Sequence, residues 1–370
     1  MSKTNSKVNN IFLHASRYIF GLVFVFSGFV KAVDPLGMTY KLQDYFTAFG
    51  GIFYSFSDYA FVLAIALSTI ELFIGLNLIF VVQLRRTAFL ALLFMLIMTP
   101  LTFYIAIKNP VSDCGCFGEA LKISNWETFW KNIVLFVLIL IVIFTTRPHQ
   151  RFLLLRVEWL AMILFLATGI GISTYAYNHL PQIDFLPYKK GVNIAQAMQI
   201  PEGAPQDKYE TTFIYEKNGT QKEYTLENYP KDDSTWVFVD QKTTLIEEGY
   251  KPPIHGFTVY NYQNEDIVPD ILEYKGYTYL LVMYDLNKTS VEGAKRAEAI
   301  YTKYKNTSVR FYALTASADE DIFAFVNKTL VTFPFFKADP ITLKTVIRAN
   351  PGLVLIKDGT ITGKWNWKDF

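Results

Sequence analysis

The strongest constraint in this sequence is a set of five apolar stretches in its first half, at residues 11–33, 60–82, 87–107, 126–145 and 152–175. Each is long enough to cross about 30 Å of hydrocarbon, for which roughly 20 residues of helix suffice. Charge divides the chain the same way. Through Leu180 it holds 13 Lys and Arg with 8 Asp and Glu, leaving 22 and 25 of the totals of 35 and 33 for the remainder. The two halves therefore belong in different solvents. Neither concentrates basic residues as a nucleic-acid footprint would, so nucleic acid is not an expected partner and membrane lipid is.

Short loops rich in Lys and Arg stay in the cytoplasm. Lys3, Lys7 and Arg17 accompany the first span, Arg85 and Arg86 join the second to the third, and Arg147, Arg151 and Arg156 surround the turn into the fifth. These regions are expected to be cytoplasmic. Loops 34–59 and 108–125, and everything from Pro181 onward, then lie outside. The expectation is a multi-pass protein of the inner membrane with a cytoplasmic N-terminus and a periplasmic C-terminal half. Lys31 and Asp34 close the first span without a small-residue cleavage site, which favours an uncleaved anchor. The two are expected to form an interfacial pair. Arg156 and Glu158 are expected to snorkel toward water, and Pro100 to kink the third span with Thr99 nearby to bond freed backbone.

From Tyr209 the pattern changes to short strands and turns. Residues 211–216 and 221–226 flank Asn218-Gly219, which supplies the two positive φ values of a type I′ hairpin turn. Residues 279–286, 291–304 and 309–314 predict a βαβ unit. Helical stretches near 319–329 and 341–349, a strand at 352–356, a Lys357-Asp358-Gly359 turn and a last strand through Lys364 complete an expected four-stranded sheet flanked by helices.

The only two cysteines sit in Asp113-Cys114-Gly115-Cys116-Phe117-Gly118. Residues i and i+2 can reach the Cα separation of roughly 4.4–6.8 Å that a disulfide needs, and Gly115 makes the turn feasible. As a staple such a bridge is weak, because closing three residues removes about 1.6 kcal/mol of unfolded-state entropy before strain is subtracted. A tight surface disulfide is instead easy to reduce and exchange. Thiol chemistry, a structural turn and metal ligation all remain open at this point. Metal is the least favoured, because two thiolates without a nearby His leave a tetrahedral site half filled. Ser124 and Glu127 form a capping box at the start of the fourth span, just after the pair. Glu71, mid-span, is costly as an ion in hydrocarbon and should face the bundle interior, with Asn77 as a second polar position. They mark either a proton or quinone site reached from the cysteine loop, or hydrogen bonding across helices for packing.

Arg17, Gly21, Ser27-Gly28, Lys31-Ala32-Val33-Asp34-Pro35, Glu71, Gly75 and the Asp-Cys-Gly-Cys-Phe-Gly loop before Trp126 resemble the DoxX/MauE-like membrane family over about the first 150 residues. Members are bundles of four transmembrane helices, some linked to quinone-dependent sulfur oxidation and others to disulfide maturation of an exported dehydrogenase. The resemblance implies a redox-linked role for Cys114 and Cys116, more loosely for Glu71, with quinone as the implied cofactor. A fifth span departs from the four-helix pattern. Residues 279–365 resemble a thioredoxin fold, with Ala349-Asn350-Pro351-Gly352 before the strand in the place of the family's cis-proline. Where that family carries Cys-x-x-Cys, this chain reads Asp285-Leu286-Asn287-Lys288-Thr289-Ser290, whose Thr and Ser are best read as helix caps. The groove beside Pro351 is a candidate for holding an extended peptide.

The expected fold class is thus an α-helical transmembrane bundle, five spans with a DoxX/MauE-like core, plus an α/β thioredoxin-like domain with a β-rich extension. Expected domains are the bundle at 1–150, a fifth helix and linker at 151–180, the extension at 181–275 and the thioredoxin-like domain at 276–370. Two functions fit: a thiol–disulfide oxidoreductase maturing exported clients through Cys114 and Cys116, or a non-catalytic scaffold whose soluble domain binds an envelope partner.

Overall fold

The computed structural model describes residues 3–111, 113–146, 154–231, 233–247 and 249–370, with side chains from Asn10 onward. Helix α1 spans Lys3–Val33, α2 Pro35–Phe49, α3 Ala60–Ile79, α4 Leu84–Lys108, α5 Asn125–Thr145 and α6 Leu155–His179. Among the described residues five helices are long and apolar enough to cross a membrane: Asn10–Val33, Gly51–Ile79, Leu84–Lys108, Asn125–Thr145 and Leu155–His179. The chain is a multi-pass membrane protein. Arg147 and Arg151, used above for orientation, and the first residues of the expected fifth span lie outside the described residues, as do the side chains of Lys3 and Lys7.

The segment 34–59, expected as a loop, is helical. Asp34 caps α2, accepting from the Gly37 amide at 2.8 Å, and Pro35 occupies the first turn, where its missing N–H costs nothing. A 3₁₀ segment at Gly51–Tyr59 then leads into α3. Ser124 and Glu127 form the expected capping box at the start of α5.

Glycines decide how closely α1 and α3 approach. A Cβ on Gly28 would lie 2.5 Å from the Leu72 amide nitrogen and 2.8 Å from the Ser68 carbonyl, and one on Gly75 would lie 2.7 Å from the Gly21 carbonyl. Backbone meets backbone there, the close contact that small residues permit in membranes. Arg17 is buried and donates to the Leu78 and Ile79 carbonyls at 2.9 and 2.8 Å, capping the C-terminal end of α3. Glu158 does not snorkel: it is 1% exposed and accepts from the Gln83 amide at 2.5 Å, because a hydrogen-bond donor is available at that depth. Near Pro100 it is Thr102, rather than Thr99, that turns onto its own backbone, donating to the Met98 and Thr99 carbonyls and accepting from Asn132 on α5.

After a short helix α7 at Ile194–Ala197, strands β1 (Lys208–Lys217), β2 (Thr220–Thr225) and β3 (Val237–Glu247) form an antiparallel sheet in the order β2-β1-β3, with Asn218 and Gly219 at positive φ in the expected hairpin turn. A second sheet is built from β4 (Val259–Tyr260), β5 (Tyr277–Val282), β6 (Arg310–Thr315), β7 (Phe335–Ala338), β8 (Gly352–Lys357) and β9 (Thr360–Asn366). Helices α8 (Val268–Leu272), α9 (Val291–Tyr304), α10 (Asp319–Thr329) and α11 (Pro340–Val346) connect these strands. The order β4-β7-β6-β5-β8-β9 has β5, β6 and β7 parallel and the others antiparallel to their neighbours. Six strands stand where four were expected, because β4 and β7 are too short to show a two-residue alternation.

This sheet domain sits on one end of the bundle. Arg348 Nε lies 3.0 Å from both carboxylate oxygens of Asp34, and the Tyr40 hydroxyl donates to that of Tyr284 at 3.1 Å. His179 at the end of α6 pairs with Asp369 at 2.7 Å. Gly28→Leu should force α1 off α3, destabilising the bundle by about 1–3 kcal/mol or more. Gly171→Leu on α6, where a Cβ meets nothing within 4 Å, is the control. Thermal unfolding in detergent should show a lower midpoint for the first variant and a near-parental one for the second.

Candidate functional site

The cysteine loop is held at both ends before any sulfur is considered. Asn125 at the start of α5 donates to the Asn109 side chain at 2.8 Å and to the Val111 carbonyl at 2.9 Å, so the ends of α4 and α5 are tied. Asp113 accepts from the Gly115 amide at 2.9 Å, and Gly115 turns the chain at φ +65°, a conformation natural to glycine. Lys41 on α2 pairs with Asp113 at 3.1 Å. Ser27 on α1 donates to the Cys116 carbonyl at 2.7 Å. The turn brings the Cys114 and Cys116 sulfurs to 3.2 Å as free thiols, both half-buried.

Beneath the loop lies the feature the sequence pointed to only in part. Lys31 reaches both oxygens of Glu71 at 2.7 Å, with the two side chains 5% and 7% exposed. Lys31 also donates to Ser27 at 3.0 Å, so Glu71, Lys31, Ser27 and the Cys116 carbonyl form one connected chain. The expected Lys31–Asp34 pair is not made. Lys31 follows Ser27 by four residues on the face that meets α3, whereas Asp34 lies beyond the end of α1, caps α2 and binds Arg348.

A cavity of about 110 Å³ opens under the sulfurs. Phe24, Phe94, Met95, Met98 and Leu135 supply apolar wall, while Lys31, Glu71 and Lys131 supply charge beside the two cysteines. Asn77 lies elsewhere. Six residues advance a helix by about 600°, so Asn77 leaves the face of Glu71, and it donates to the Phe73 carbonyl of its own helix at 2.7 Å. Pro351 is also apart: after a cis Asn350–Pro351 bond it is buried at the start of β8, packed near Gly293 and Trp367. Ser290 caps α9 by accepting from the Gly293 amide, whereas Thr289 bonds the Asp285 carbonyl and Asn350.

The two thiols differ in acidity. The hydrogen bond between the sulfurs, and then burial, pushes Cys114 up. The same hydrogen bond pulls Cys116 down against its burial, helped by the ammonium groups of Lys131 and Lys31. Cys116 is therefore the sulfur on which negative charge is favoured. Sequence reasoning named Cys114, Cys116 and Glu71 but missed Ser27 and Lys131 and gave Lys31 the wrong partner. The available signal was a Ser and a Lys four apart in the apolar second half of the first span, opposite another span with a single acid.

Residues 9–145 match the family model described as methylamine utilisation protein MauE. They form a MauE-like membrane domain. It takes in α1 to α5 and thus the whole cavity, and leaves α6 and both sheets outside. Residues 209–248, which hold β2, β3 and all of β1 but its first residue, match a domain of unknown function (DUF8463). No curated protein and no solved structure matches the chain.

Removing one partner of a buried ion pair leaves an uncompensated charge, at about 3–5 kcal/mol, whereas replacing both by apolar residues is often neutral. Glu71→Leu should therefore destabilise the MauE-like domain by that amount, and Lys31→Met/Glu71→Leu should recover most of it. Denaturant titration of the detergent-solubilised variants measures both.

Proposed function

We propose that this protein is a thiol–disulfide exchange protein of the inner membrane that matures exported proteins, with Cys114 and Cys116 as its reacting pair. The observation that carries this reading is the pair of free sulfurs 3.2 Å apart over a mostly apolar cavity lined by a buried Lys31–Glu71 pair. A turn kept only for shape has no need of a lysine and a glutamate in hydrocarbon below it.

Starting from the Cys114–Cys116 disulfide, a client thiolate attacks one sulfur, a client–protein disulfide forms and the second cysteine leaves as a thiolate. A second client thiolate then attacks the mixed disulfide. The client disulfide forms, the first cysteine is released, and two electrons and two protons pass from client to protein. The cavity, of the same order as the apolar cavity of about 150 Å³ that accepts benzene, suits a flat ring. A quinone bound there would supply an acceptor for two electrons and two protons. Phe24, Phe94 and Met98 would keep water from the ring, and Glu71 and Lys31 would offer it hydrogen-bonding partners at the floor.

The soluble half would sit in the periplasm with the cysteines, since it packs on the same end of the bundle as α2, which holds their loop. Its βαβ core with an antiparallel β8–β9 hairpin supports a thioredoxin-like fold, and the absence of cysteine there suits client binding rather than chemistry. The non-catalytic scaffold is the alternative.

Replacing Cys114 and Cys116 with Ser should abolish formation of disulfides in exported clients with normal expression. Alkylation trapping in intact cells should show the wild-type pair cycling, and becoming reduced when the respiratory chain is inhibited. Full activity in the double variant would leave the scaffold. A reporter fused after Tyr177 that is active in the cytoplasm would remove the setting for this chemistry.

A further inference from the structure

The charges facing the cavity do not balance. Lys31 faces it from α1, Glu71 from α3 and Lys131 from α5, with the Tyr45 phenol from α2 and the loop's two thiols at the mouth. Lys31 and Glu71 neutralise one another at 2.7 Å, and Lys41 and Asp113 do so at 3.1 Å beside the mouth. Lys131 has no carboxylate partner among the described residues. Its ammonium lies 4.6 Å over the Phe117 ring and lines the same cavity as Cys116. An ammonium held at the edge of hydrocarbon without a counter-ion is unfavourable, so a matching negative charge is what this arrangement lacks.

We propose that Cys116 supplies that charge: in the reduced protein its sulfur is a thiolate between Lys131 and Lys31, and Lys131 is the positioning residue that selects Cys116 over Cys114. This rests on the exchange reading and says which sulfur does what. Ser27 fixes the Cys116 backbone on the turn of α1 that carries Lys31, and Cys114 stands 3.2 Å away as the S–H donor to the anion. In exchange the client thiolate attacks Cys114, the Cys114–Cys116 bond breaks, and its electron pair stays on Cys116, the better leaving group because its anion is stabilised. The mixed disulfide is thus carried on Cys114, nearer Tyr45, and Cys116 is left facing the cavity for reoxidation.

The test is the pH dependence of N-ethylmaleimide alkylation of the full-length, reduced protein in detergent. Cys114→Ser leaves Cys116 as the lone thiol, with the serine hydroxyl as hydrogen-bond donor in place of the missing S–H, and Cys116→Ser leaves Cys114. Cys116 should titrate below the ordinary thiol range and Cys114 above it. In the Cys114→Ser background, Lys131→Gln should move the Cys116 midpoint up by about one pH unit, a rate about tenfold lower at neutral pH, while Lys131→Arg keeps it in place. Glu71→Gln, which removes the opposing charge, should move it down; if that variant does not fold, the two Lys131 variants decide. A change of access alone would alter the plateau at high pH and leave the midpoint. A midpoint unmoved by Lys131→Gln, or a Cys114 that ionises before Cys116, overturns the assignment. These midpoints do not depend on client chemistry, so a cysteine pair that titrates as expected but never cycles in cells would refute the proposed function and leave the thiolate assignment standing.

Discussion

A lysine and a glutamate placed in hydrocarbon have few alternatives to finding one another, and the MauE-like domain is organised around that necessity. Lys31 and Glu71 are 40 positions apart in sequence, and they meet because Gly28 and Gly75, each about one turn from the pair on the side toward Arg17, let the two backbones touch. Burial of the pair is tolerable because both carboxylate oxygens and the ammonium are hydrogen-bonded, with Ser27 accepting one further hydrogen bond from Lys31. The same serine holds the cysteine loop. The ion pair thus positions the loop as well as the helices.

The sheet domain is coupled to this arrangement through residues adjacent to it. Asp34, three residues after Lys31, caps α2 with one oxygen and receives Arg348 from the sheet domain. Lys41, further along α2, holds Asp113 of the cysteine loop. Helix α2 is therefore bonded to the loop on one side and to the sheet domain on the other. On the proposed function, a client held by the sheet domain would reach the sulfurs across this short helix. The proposed exchange protein would then carry its chemistry in the bundle and its recognition outside.

The parts of the structure visible in advance are those set by local pattern. Five spans follow from apolar length, the start of α5 from Ser124 and Glu127, and the β1–β2 turn from Asn218-Gly219, because each depends on neighbours within one turn of chain. Helix α2 carried a local signal as well, Asp34 before Pro35, but its mixed composition gave the appearance of a loop. Strands β4 and β7, of two and four residues, exist only because neighbouring strands offer them partners. Glu71 was identifiable because an acid in hydrocarbon is conspicuous alone. Lys131, near the end of its span and next to aromatic residues, has the look of an ordinary interfacial lysine.

What the sequence determined by itself is the division of the chain between lipid and water, the element types, and the presence of two thiols in a tight glycine turn, all consequences of composition and spacing over a few residues. Only the tertiary structure decided the partners: Lys31 with Glu71 rather than Asp34, Asp34 with Arg348, Asn77 turned from the cavity, and Lys131 left to face the sulfurs. The reason is that pairing energy depends on distance in three dimensions and on the local dielectric. Both are set by how closely helices pack, and neither is written in the separation of residues along the chain.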